Sequence, residues 1–217
     1  MLKKILLCFC CAALIIFAIF AFITKNEKPT VIENNTLIPN LTEQELILNS
    51  DLIVDGLVKD IGDSKWSNPT LIEGKRNILQ TDIVVKINEI ISGDYAPKDV
   101  VVRINKGYDK NTNTIVESDG YPDFSVGEHV ILFLSRDDGD LATNEDYFVL
   151  TGMRQGKWSL DSKTDPAVSS TNKNNNNLIA NLKSKVKEEK ANNPNWKAQK
   201  VERDAKIIED NKKLFGE

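Results

Sequence analysis

The chain has 217 residues, with 28 Lys and Arg against 32 Asp and Glu, and a net charge of −4. The charge is divided unevenly: residues 41–165 hold 13 basic and 23 acidic side chains, a net of −10, and residues 178–217 hold 10 and 7, a net of +3. An acidic central region repels the phosphates that nucleic-acid binders attract, which excludes DNA or RNA as its partner. All three cysteines, Cys8, Cys10 and Cys11, lie near the N-terminus, so no disulfide can brace the remainder.

Met1-Leu2-Lys3-Lys4 is a short positive start, and an uncharged apolar run follows from Ile5 to Thr24. Twenty residues of helix reach roughly 30 Å, the thickness of a bilayer hydrocarbon core. Residues 1–24 are therefore expected to be a transmembrane signal-anchor. The flanking lysines bias the chain toward a cytoplasmic N-terminus and an extracytoplasmic remainder at the cell membrane. A cleaved signal peptide is the rival reading, but the run is long and Ala18 and Ala21 have the wrong spacing for its cleavage pattern. An exported part without cysteine fits a bacterial surface better than an animal secretory pathway.

Residues 25–40 carry two prolines and several asparagines and read as a stalk. Thr42-Glu43-Gln44-Glu45 has capping-box spacing and predicts a short helix to about Asn49. Strand-like runs follow at 52–61, with Gly56 as a bulge, and at 78–91, 100–104 and 130–134. Two shorter runs, 148–150 and 157–160, flank a reversal at Gly152 and Gly156. The unbroken apolar 130–134 run implies burial on both faces. Residues 166–177 read as a polar linker. Leu178, Leu182 and Val186 predict a docked helix, and a second helix is expected from Trp196 to Leu214 after the break at Pro194. Its thin stripe of Ala198, Val201, Ala205, Ile208 and Phe215 is too short for a coiled coil. The fold expectation is mainly β: a five- to six-stranded antiparallel barrel over 41–165, with helices at both ends, a helical tail over 178–217 and one transmembrane helix before it.

The order of these segments carries a resemblance. It runs from the short helix to Asp51–Val58, then Ile87–Gly93, Val100–Ile104, Val126–Leu134, Tyr147–Leu150, the Gly156-Lys157-Trp158 turn and a closing helix. Over residues 41–190 it resembles exported bacterial domains of the netrin and tissue-inhibitor-of-metalloproteinase type, which implies an OB-like barrel. Animal members act through an N-terminal cysteine on a protease zinc. This region has no cysteine, so the resemblance implies a fold and carries over no functional residue.

Two sets of side chains stand out. Asp137, Asp138, Asp140 and Asp146 cluster in a short acidic stretch and are the best metal candidates, since Ca²⁺ takes six to eight oxygens. Their spacing departs from the EF-hand loop, and Asp-Gly is also a hairpin signal. Tyr95, Tyr108, Tyr121 and Phe124 fall in connecting loops, where OB-like barrels often present ligand-facing aromatics. His129, the sole histidine, lacks a nearby nucleophile in sequence and is expected at the surface of a strand start. No catalytic residue or obligatory cofactor is indicated. The function expected is a membrane-anchored, non-catalytic extracytoplasmic binding module, touching lipid through its N-terminal helix and an envelope protein or polymer through its barrel. The alternative is a calcium-dependent or other hydrolytic enzyme using the 137–146 loop.

Overall fold

The computed structural model describes residues 28–35, 40–137, 139, 141–160 and 172–215. The expected transmembrane segment lies outside them. No described helix is long and apolar enough to cross a membrane.

Among the described residues ten strands and three α-helices follow one another: β1 (Thr30–Asn34), α1 (Glu43–Asn49), β2 (Leu52–Ile61), β3 (Lys65–Trp66), β4 (Leu79–Ser92), β5 (Asp99–Ile104), β6 (Gly107–Asp109), β7 (Thr114–Ser118), β8 (His129–Arg136), β9 (Phe148–Leu150), a short 3-10 turn (Met153–Gly156), β10 (Lys157–Ser159), α2 (Asn172–Asn192) and α3 (Trp196–Phe215). α1 begins on the expected capping box: Glu45 N–H donates to the Thr42 hydroxyl at 3.2 Å, and Thr42 N–H donates to the Glu45 carboxylate at 2.7 Å.

Strands β2, β4, β5, β9 and β8 close a five-stranded barrel, compatible with an OB-like fold. The barrel is mixed rather than antiparallel throughout, because β5 and β9 run parallel where Val102 meets Phe148. β8 is shared along one edge: its C-terminal half pairs with β9 and its N-terminal half with β10. The register of β2 against β4 shifts between Asp55 and Gly56, so Gly56 does sit at an irregularity.

Strand alternation sorts the apolar side chains into two cores. Leu52, Val54, Val130, Leu132 and Leu134 join Ile83, Val85, Val100, Val102 and Phe148 inside the barrel. Ile53, Ile131 and Phe133 face outward, where α1 and α2 cover them with Leu46, Ile47, Ile179, Leu182 and Val186. This is why 130–134 is unbroken and fully buried: both faces of β8 are interior. The helix does dock, with Ile179 buried beside Leu182 and Val186 and Leu178 only partly buried. The basic tail turns back on the acidic barrel through Lys183 with Glu89, Lys185 with Glu43, and Lys200 with Asp51 at 3.0 Å.

Two expectations are corrected. The stalk is not irregular throughout, because β1 pairs in parallel with β7, Thr30 opposite Thr114 to Asn34 opposite Ser118. Its partner lies more than eighty residues away, beyond reach of any local pattern. The linker is shorter, since α2 begins at Asn172. The α3 stripe, too short for a coiled coil, has Ala198, Val201 and Ala205 open to solvent, Val201 being 68% exposed.

Candidate functional site

The site is built where the β1–β7–β6 sheet meets the end of the barrel. β3 pairs with the start of β4, setting Trp66 opposite Leu79. The Trp66 indole N–H donates to Asp109 at 2.9 Å, and Asp109 also accepts from the Thr112 hydroxyl at 2.7 Å and Asn111 N–H at 2.9 Å. These bonds, Trp66 first, hold the Asp109 carboxyl below the usual carboxylate range. One carboxylate thus fixes the β6–β7 hairpin and the indole together.

Between these pieces opens a groove of ≈ 800 Å³. Buried Leu79 and Val116 line it together with Trp66, Ile78, Tyr121, Met153 and, from β1, Ile32. Its polar members are Glu33, Asn34, Asn35, Arg76, Asn77, Asn105 and Ser118. Asn105 is held by two bonds, accepting from Gln80 at 2.9 Å and donating to the Tyr121 hydroxyl at 3.1 Å. That leaves the Tyr121 O–H to donate elsewhere. Asn77 accepts from Asn68 N–H at 2.9 Å through its carbonyl, which leaves its amide hydrogens for another acceptor. Met153 adopts φ +57 directly after Gly152 at φ +67, two successive left-handed residues at the groove's edge. The lining combines aromatic and aliphatic surface with amide, hydroxyl and guanidinium groups. Among the described lining residues Glu33 is the one carboxylate.

The four sequence-selected aromatics separate. Tyr121 lines this groove. Tyr108 and Phe124 line a neighbouring cleft of ≈ 290 Å³. Tyr95 packs edge-on against Phe148, 5.5 Å between ring centres, and with Tyr121 and Phe124 closes the barrel core. Trp66, Asn77 and Asn105 were not singled out by sequence. No local motif marks them, since they converge only through strand pairing.

The acidic loop is organised by cations and a phenol. Arg103 grips Asp82 with two bonds of 2.6 and 2.8 Å, reaches Glu145 at 2.6 Å and lies 3.9 Å from the centre of the Tyr147 ring. Asp82 and Glu145 raise the Arg103 pKa above its ordinary value despite burial, so the guanidinium stays charged. Asp137 accepts from the Tyr147 hydroxyl at 2.6 Å and from Gly139 N–H at 3.1 Å. Asp146 pairs with Arg136 at 2.6 Å. Asp138 and Asp140 lie outside the described residues. Among the described residues no three His, Cys, Asp or Glu side chains converge as a metal cage.

His129 is not a plain surface residue. Its Nε2 lies 2.5 Å from Oδ1 of Asp55, whose side chain is only 7% exposed. The pair spans the β2–β8 seam.

No protein-family model and no curated protein matches this sequence.

Proposed function

We propose that this protein is a non-catalytic binding module, tethered to a membrane by its N-terminal apolar segment with the barrel on the extracytoplasmic side. Its ligand is a hydroxyl-rich polar polymer of glycan type. The observation that carries this reading is the ≈ 800 Å³ groove that sets Trp66 and Tyr121 beside Arg76, Asn77 and Asn105. Sugars offer an apolar face for aromatic rings and a rim of oxygen atoms for amide and hydroxyl donors. The single carboxylate among the described lining residues supports holding such a chain rather than cutting it. The uncharged apolar run from Ile5 to Thr24, with lysines before it, supports the tether.

Saturation-transfer NMR on the full chain in detergent, against a panel of soluble glycans, tests the reading. Transfer should be seen from the Trp66 and Tyr121 rings and be lost in Asn105→Ala and Arg76→Ala proteins whose melting temperature is unchanged. A panel that gives no transfer, or transfer that survives both substitutions, removes this groove as the binding site.

A further inference from the structure

The loop from Asn68 to Asn77 displays two adjacent aliphatic side chains to solvent, Leu71 at 71% and Ile72 at 55% exposure. Loops of this kind are normally polar at the tip, and adjacent exposed aliphatics mark a contact surface. This one is braced from inside. Asn68, buried to 5%, donates to the carbonyls of Ile72 at 3.0 Å and Lys75 at 3.1 Å, and accepts from Ile72 N–H at 2.9 Å. Leu71 sits at φ +52, a left-handed conformation that an apolar L-residue rarely adopts. A loop that spends a buried side chain and a strained backbone to present Leu-Ile outward is shaped for contact.

The surroundings indicate what it contacts. Lys75 and Arg76, both exposed, follow the tip in the chain just after Glu73 and Gly74. Exposed aliphatics with exposed cations a few residues away match a bilayer interface, with apolar groups in the acyl boundary and cations among anionic headgroups. The tether limits how far β1 can stand from the bilayer. With β1 bound to β7, the chain between Thr24 and Thr30 spans at most about 22 Å when fully extended. β1 is itself exposed along its length, with Val31 at 53% and Ile32 at 41%, and it borders the same groove as Arg76.

We infer that the Asn68–Asn77 loop docks on the lipid bilayer that carries the chain's own N-terminal segment, with Leu71 and Ile72 entering the interface. The barrel then stands close to the membrane in a fixed orientation, and the groove opens just above the headgroups. The inference rests on the tethered reading proposed above, and its test separates the two.

The full chain, with Cys8, Cys10 and Cys11 replaced by Ala, is reconstituted in phosphatidylcholine–phosphatidylglycerol vesicles. An environment-sensitive fluorophore is attached at Leu71→Cys, at Ile72→Cys or, on exposed α2, at Lys187→Cys. Spin-labelled lipid should quench the 71 and 72 probes several-fold more strongly than the 187 probe, and aqueous iodide should show the reverse order. Equal access of iodide to the 71 and 187 probes overturns the docking. So does shielding at 71 that persists in detergent and ignores spin-labelled lipid, which assigns the tip to a protein contact instead. Release of the chain from vesicles by an alkaline wash overturns the tether itself. Retention with an iodide-accessible tip overturns the docking alone.

Discussion

His129 and Asp55 meet across the β2–β8 seam with Nε2 and Oδ1 2.5 Å apart, the imidazole 26% exposed and the carboxylate 7%. The more buried member carries the larger penalty when its partner is lost, because a stranded charge has neither water nor counter-ion. His129→Ala is expected to lower stability by about 3 kcal/mol, and Asp55→Val by less, since it leaves a group that water can reach. Urea unfolding of both single variants and the double variant measures the coupling. Additive losses would mean that the two residues do not act as a pair.

Gly56 sits where β2 shifts register against β4. A Cβ there would lie 2.6 Å from Val85 Cγ1 and 2.8 Å from the Lys86 carbonyl oxygen. The backbone oxygen cannot give way, so Gly56→Ala should destabilise the barrel by about 1–3 kcal/mol through overpacking. A thermal melt decides it, and an unchanged melting temperature would contradict the close approach.

Acid should loosen the groove before the barrel. The folded carboxyls of Asp109 and Glu145 are both held low, the first chiefly by Trp66 and the second by Arg103. A depressed carboxyl stabilises the fold above its unfolded value, about 3.9 for Asp and 4.3 for Glu, and that contribution disappears as pH falls through the folded value. The Trp66 indole N–H resonance is therefore expected to hold steady from neutral pH and to move below about pH 4. Movement between pH 5 and 7 would place control in some other group.

Calcium is expected to leave the melting temperature unchanged. Of the acidic side chains considered for it, Asp137 is engaged by Tyr147 and Gly139, and Asp146 by Arg136. A ligand that binds the native state must raise stability by mass action, so a saturable rise in melting temperature would identify the acidic loop as a metal site.

The sequence by itself determined what local chemistry controls. Thr42 and Glu45 announce their capping box, 130–134 announces a strand buried on both faces, and Gly56 marks an irregular strand. The spacing of Leu182 and Val186 announces a docked helix. These features depend on neighbours a few residues away, or on how much of a side chain must avoid water. Tertiary structure alone decided the rest. β1 is a strand because β7 offers it main-chain partners, and the barrel is mixed because β9 reaches β5 in parallel. His129 is pinned because Asp55 faces it from another strand. The groove arises because Trp66, Asn77, Asn105 and Tyr121 come from four separate segments of the chain. The outward Leu71 and Ile72 were hidden for the same reason, since only the buried Asn68 and the turned backbone show that this pair points at solvent.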